Sequence, residues 1–60
     1  MNLFNFKIAK ALNLHADEVV INIVGSSYGE ILGMAETPKG VYDFTYDSAN
    51  KSFSYLELAV

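Results

Sequence analysis

Apolar and polar residues alternate with period two over the last twenty positions of the chain. Two alternating segments, Val41–Asp47 and Ser52–Val60, flank the polar stretch Ser48–Lys51. Such alternation on both sides of a short polar stretch is typical of a β-hairpin. Five of the eight aromatic residues lie in this hairpin, so we expect it to carry much of the hydrophobic core.

The length of the hairpin loop decides which residues lie opposite one another. A four-residue loop pairs Tyr46 with Phe53 and Phe44 with Tyr55. Because directly opposed residues share a face of the sheet, this register predicts that all five aromatic residues lie on one face. A three-residue loop would divide them between the two faces. We therefore expect the aromatic face to be the core, with Phe44 buried in it.

The N-terminal part of the chain has the spacing of an amphipathic helix. We predict a helix over Asn2–Leu14, with Asn2 as its N-cap and with Asn13 or the His15–Ala16 pair at its end. Its apolar residues recur at the intervals of one buried stripe, which comprises Phe4, Ile8, Ala11 and Leu12. An isolated hairpin is unstable, so this stripe should dock on the aromatic face and bury Ile8.

The middle of the chain contains two further strand candidates. Val19–Val24 is rich in β-branched residues, which favour a strand, and Gly25–Gly29 has turn composition. Glu30–Glu36 is ambiguous, because a capping box starting at Ser27 would favour a helix. The central glycine and the following Thr37–Gly40 turn favour a strand instead.

These elements predict a single small α+β domain over residues 1–60, with one N-terminal helix packed on a four-stranded antiparallel β-meander. The alternative is an α-β-α-β-β order in which residues 28–36 are helical. A chain of 60 residues buries only about 60% of the surface that its unfolded form exposes. Without cysteine, its stability must come from apolar burial or from homodimerisation.

Two short motifs suggest functions. Ile8–Val19 resembles one segment of phage-repressor-type helix-turn-helix domains, in which a helix I-A-K-A-L-N-L precedes a short turn and D-E-[LV]. In that family the segment follows the recognition helix, so the resemblance implies no base-reading residue here. Gly25–Gly29 matches the G-x-S-x-G nucleophile elbow. That motif requires a large parallel sheet and a downstream histidine, whereas His15 lies upstream, so we predict a turn without catalytic function.

Charge and composition exclude several classes of function. Seven acidic residues stand against four lysines, and the net charge is −3, which argues against direct binding of nucleic acid and favours a partner with a basic surface. One histidine and no cysteine predict no metal site and no catalytic centre, and no cofactor motif is present. Charged residues interrupt the apolar runs, so we expect no membrane span and a cytoplasmic protein.

The second face of the predicted sheet is the candidate binding surface. The register places Glu30 opposite Asp47 on it, and adjacent carboxylates disfavour one another's ionisation. It also carries more apolar residues than a solvated face needs. We predict that eight residues of this face bind a partner, namely Glu30, Leu32, Met34, Glu36, Asp43, Asp47, Leu56 and Leu58.

Two hypotheses about function follow from this face. The first is a non-enzymatic protein–protein interaction module, of the kind of small inhibitors that mobile elements encode. Such an inhibitor would block a nucleic-acid-binding protein by presenting carboxylates in place of phosphates. The second is a structural protomer that uses its apolar sheet face for self-association, as in a homodimer.

Overall fold

The computed structural model describes residues 3–59 and consists of one helix followed by a four-stranded antiparallel sheet. The sheet order is the chain order, with every strand antiparallel to its neighbours. This confirms the predicted α+β fold and the strand assignment of residues 30–36. The elements are α1 (Leu3–Leu12), a 3₁₀ turn (Ala16–Glu18), β1 (Val20–Ser27), β2 (Glu30–Thr37), β3 (Gly40–Asp47) and β4 (Ser52–Leu58). Two predicted positions, the N-cap Asn2 and the strand end Val60, lie outside the described residues.

The helix ends just before Asn13, which is one of the two predicted end positions. Asn13 has φ 59°, a conformation that asparagine adopts more readily than most residues. The Leu14 amide donates to the Ala9 carbonyl at 2.8 Å, which is the 6→1 bond of a Schellman motif. From the β2–β3 turn, the Lys39 Nζ donates to the Leu12 carbonyl at 2.7 Å. The free carbonyls of the last helical turn are thus partly satisfied by groups outside the helix.

The core lies between α1 and the aromatic face of the sheet. Ile8 and Phe44 are 0% and 2% exposed, which confirms the prediction that both are buried. Four rings from the helix and two strands pack edge-to-face or tilted, with centroids 5.0 to 5.7 Å apart, a geometry that aromatic quadrupoles favour. These rings are Phe4, Phe44, Tyr46 and Phe53.

One residue of the predicted helical stripe was placed wrongly. Ala11 is exposed, whereas Ala9 is buried. The helix is rotated about its axis towards Ala9, and Asn5 on that side donates a hydrogen bond from Nδ2 to the Val19 carbonyl. The spacing of apolar residues could not predict this hydrogen bond, because Asn5 and Val19 are distant in sequence.

The first hairpin is tighter than predicted. Gly25–Ser27 belong to β1, and the turn consists of Tyr28 and Gly29 alone. Their φ angles are 50° and 80°, so both central residues have the positive φ of a type I′ turn, whose twist matches that of the flanking strands. The second turn is also tighter than the predicted Thr37–Gly40, because Thr37 and Gly40 pair with each other as strand residues. The predicted register is nevertheless confirmed, since Glu30 opposes Asp47, and it places Gly33 opposite Phe44.

The third hairpin contains a β-bulge that the predicted register lacked. Tyr46 opposes Phe53 as predicted, but Phe44 opposes Leu56, with Ser54 as the extra residue of β4. The predicted pairing of Phe44 with Tyr55 was therefore wrong. Beyond the bulge the two faces are exchanged, so Leu56 packs against the core and Tyr55 faces away from the helix.

Gly33 is the point where the core comes closest to the sheet backbone. A Cβ built on it would lie 2.5 Å from Cζ of Phe44 and 2.8 Å from the Asn22 carbonyl oxygen. Real Cβ contacts are longer than this, so the Phe44 ring occupies the volume that any other residue at position 33 would need. Gly25 is a natural comparison, because its built Cβ has no neighbour within 4 Å.

We expect Gly33→Ala to lower the free energy of unfolding by about 1–3 kcal/mol, because the methyl group overpacks the core and forces the Phe44 ring to move. Gly25→Ala, on an open part of the next strand, should change it much less. Urea denaturation monitored by circular dichroism would measure both. Equal stabilities of the two variants would show that the ring does not lie on Gly33.

Candidate protein-interaction face

The side of the sheet turned away from α1 is the candidate functional surface, and we call it the outer face. The strand pairings place on it every residue that alternates with the core positions. The outer face comprises Val20, Asn22, Val24, Gly25, Ser27, Glu30, Leu32, Met34, Glu36, Val41, Asp43, Thr45, Asp47, Ser52, Tyr55 and Glu57. No helix covers it within residues 3–59.

The centre of the outer face is apolar and slightly concave. Leu32, Met34 and Tyr55 are 41%, 37% and 47% exposed, and Val24 at the edge is 69% exposed. Together with Asp43 and Thr45 they line a depression of about 360 Å³. Exposed apolar side chains that adjoin one another in this way are more typical of an interaction site than of a solvated sheet face.

The charges of the molecule are divided between its two sides. Five of the seven carboxylates lie on the outer face, and these are Glu30, Glu36, Asp43, Asp47 and Glu57. All four lysines lie within residues 3–59, and none of them is on the outer face. Lys7 and Lys10 are on α1, Lys39 reaches the helix C-terminus, and Lys51 lies in the β3–β4 turn beside the helix.

Six of the eight predicted binding residues lie on the outer face, and the structure brings them together. They are Glu30, Leu32, Met34, Glu36, Asp43 and Asp47. The predicted placement of Leu56 and Leu58 on this face was wrong, because the bulge at Ser54 turns both towards the helix side. Leu56 packs against the core, so it contributes to folding rather than to an exposed patch.

Three residues at or beside the apolar centre of this face were absent from the predicted binding set, namely Val24, Tyr55 and Glu57. The signal was a break in the alternation, because Tyr55 and Leu56 are adjacent apolar residues within one strand. Ile23 and Val24 make the same break in β1, where Val24 is the extra residue of a second bulge. Ile31 and Leu32 are also adjacent apolar residues, but they pair in regular register, so such a pair allows a change of face without locating one.

Asp47 is bound within its own turn. Its carboxylate accepts hydrogen bonds from the backbone amides of Ala49 and Asn50 and from Nδ2 of Asn50, the last at 2.7 Å. The Asn50 side chain, followed by the two amides, lowers the pKa of Asp47, because hydrogen bonds to the ionised form favour it. The expectation that crowding by Glu30 would disfavour ionisation of Asp47 was therefore wrong.

We expect Asp47→Asn to destabilise the protein in a pH-dependent way. The folded-state pKa of Asp47 is depressed, so its contribution is present above the unfolded-state value, near pH 4, and is lost as the pH falls through the folded value. The gap in melting temperature between parent and variant should thus be open at neutral pH and close in acid. A gap that persists at low pH would contradict the assignment.

Tyr55 lies among carboxylates at the centre of the outer face. The negative charge of Glu57 and a hydrogen bond to it raise the pKa of Tyr55, with a smaller contribution from the charge of Asp43. An anionic neighbour disfavours a second negative charge, so the phenol is held in its neutral, hydrogen-bonding form. The side chain thus combines an apolar ring with a neutral hydroxyl group, a combination that is enriched at protein interfaces.

We expect Glu57→Gln to lower the pKa of Tyr55 towards its ordinary value near 10, because the principal negative charge beside the phenol is removed. NMR titration of the tyrosine ring signals would resolve it from the other three tyrosines. Glu36→Gln removes a charge from the same face at the opposite end of β2, and should leave this titration unchanged. If both variants shift it equally, the charge of Glu57 is not the principal cause of the raised pKa of Tyr55.

The described residues contain neither a metal centre nor a nucleophile elbow. No group of three or more His, Cys, Asp or Glu side chains within residues 3–59 could hold a metal ion. Gly25–Gly29 spans a strand end and a hairpin turn that leads to another strand, whereas an elbow connects a strand to a helix. Among the described helices, none is long and apolar enough to cross a membrane.

Comparison with known proteins gives no functional assignment. No protein-family model, no curated protein and no solved structure significantly matches this chain.

Proposed function

We propose that the protein is a non-enzymatic interaction module that binds the basic surface of a partner protein through its outer face. The observation that carries this proposal is the division of charge, with five carboxylates and no lysine of the described chain on that face. A surface of one sign attracts and orients a partner of the opposite sign.

The arrangement of the outer face supports a specific contact rather than charge alone. Leu32, Met34 and Tyr55 form an exposed apolar centre, and carboxylates of β2, β3 and β4 border it on the sides away from β1. Protein interfaces are built in this way, with an apolar centre that excludes water and a polar rim. The residues lie on strands rather than loops, so little conformational entropy is lost when a partner docks.

The partner class that fits best is a nucleic-acid-binding protein. Such proteins carry clustered lysine and arginine side chains that bind phosphates, and carboxylates in a rigid array would compete for the same side chains. The protein would then act as a small inhibitor of the kind that mobile elements encode. The absence of cysteine fits a reducing compartment such as the cytoplasm.

Binding to a partner isolated from the native cells would test this proposal. The affinity should fall steeply with added salt, because the attraction is largely between charges. The double variant Asp43→Asn/Glu57→Gln should bind about tenfold more weakly at low salt, since it removes the two charges beside Tyr55. Asp47 is left intact because it holds its own turn together. Calorimetry at two salt concentrations would measure both effects.

The matched control is Asp17→Asn/Glu18→Gln, which changes the net charge equally but at the two carboxylates outside the outer face. It should bind like the parent protein. DNA should compete with this protein for the partner. A partner that binds DNA and this protein at once, or a double variant that binds as tightly as the parent, would contradict the proposal.

A second candidate function is self-association through the free edge of β1. This edge strand carries no charged residue over Val20–Ser27, whereas natural edge strands usually carry charges that prevent pairing. Val20, Ile23 and Val24 are each at least half exposed. Antiparallel pairing of β1 with β1 of a second copy would extend the sheet about a two-fold axis, and the uncharged strands would bring no like charges together.

If the edge mediates a dimer, Val24→Lys should convert it to a monomer without loss of folded structure, because the lysine would place two charges in the pairing zone. Leu58→Lys, at a similarly exposed position near the opposite edge, should leave the dimer intact. Sedimentation equilibrium would distinguish the two variants. A parent protein that is monomeric at high concentration would exclude this candidate.

A further inference from the structure

A groove between the helix and the β3–β4 hairpin is separate from the outer face. It has a volume of about 430 Å³ and is bordered by three of the four lysines, Lys7, Lys10 and Lys51. Its floor is formed by Tyr46 and Phe53, with Ala11 and Ser52 beside them. Small-molecule sites in proteins are usually of this size and combine an apolar floor with a few convergent polar groups.

The lysines of this groove are not neutralised within the protein. No ion pair to any of them is present among residues 3–59. Lys7 instead lies over the Tyr46 ring, with its Nζ 5.5 Å from the ring centroid, a distance at which the ring face attracts a cation. Lys7 and Lys10 lie three residues apart on α1, where like charges repel each other. An anion bound among the three ammonium groups would relieve this repulsion.

The acidic outer face does not cancel the field of the groove. The two surfaces lie on opposite faces of the sheet, and three lysines border the groove. Asp47 pairs with Ser52 at the rim of the groove, but its carboxylate is held within its own turn by Ala49 and Asn50. The groove is therefore locally cationic although the net charge of the chain is −3.

We propose that the groove binds a small organic anion with a flat apolar body, such as an aromatic phosphate or carboxylate. The body would rest on Tyr46 and Phe53, and the anionic group would lie among the ammonium groups of the three lysines. Both parts of the ligand are needed, because exposed lysines alone hold an anion weakly in water and the small apolar floor offers little area.

NMR titration of the ¹⁵N-labelled protein with phenyl phosphate would test the proposal, with inorganic phosphate and phenol as the two halves of the probe. Phenyl phosphate should produce saturable shifts at the amides of Lys7, Ala11 and Lys51–Phe53. Its affinity should exceed that of either half by at least about tenfold, and should decrease with added salt. Shifts centred on Leu32, Met34 and Tyr55 would overturn the assignment, as would binding of phosphate alone with equal affinity.

Two variants test where phenyl phosphate binds, independently of the NMR chemical shifts. Lys7→Gln/Lys51→Gln should weaken phenyl phosphate binding at least about tenfold, because two charge-assisted contacts are lost. Ala11→Glu should weaken it by adding a carboxylate at the groove while keeping an exposed, helix-favouring residue. Lys39→Gln removes one positive charge at the lysine outside the groove and should bind like the parent. Equal binding by all these variants, or equal loss in the control, would overturn the proposal.

Discussion

The contact between the Phe44 ring and the bare backbone at Gly33 sets the geometry of the whole molecule. Because position 33 has no side chain, the edge of the ring reaches the β2 backbone, while Phe4 and Ile8 of the helix pack in the same core. The same ring packs edge-to-face with Phe53 of β4. One glycine thereby allows a single aromatic side chain to join the helix to three strands of the sheet.

The small size of the core explains why so much apolar surface stays exposed. One helix of ten residues covers only part of one side of a four-stranded sheet, so the outer face and the β1 edge have no partner within the described chain. The apolar residues left there are not scattered singly. They adjoin one another at Val24, Leu32, Met34 and Tyr55, and this clustering separates a candidate interface from ordinary surface.

The separation of charge gives the two sides of the molecule different chemistry. The lysines lie around the helix, where Lys39 caps its C-terminus and the other three border an aromatic groove. Five of the seven carboxylates lie on the opposite side of the sheet, and one of these, Asp47, accepts the hydrogen bonds that hold the β3–β4 turn. A basic protein and a small organic anion could thus bind to opposite sides of the protein without competing for the same residues.

The sequence by itself determined the elements and most of the pairing. Period-two alternation defined the hairpin, and a turn within Thr37–Gly40 defined the register of β2 on β3, so that Glu30 and Asp47 were paired correctly. Six of the eight candidate binding residues followed from that register, because each lies on a strand without an interruption.

Only the tertiary structure decided where the alternation changes face. The bulge leaves Ser54 without a partner in the strand pairing. It forms there because Leu56, rather than Tyr55, then fills the space beside Phe44. The alternation of apolar and polar residues allowed either Tyr55 or Leu56 to enter the core, since the two are adjacent and both are apolar. The same holds for Ala9 over Ala11, where the choice depends on how Asn5 contacts the chain before β1. These choices depend on packing between elements distant in sequence, and no local spacing encodes them.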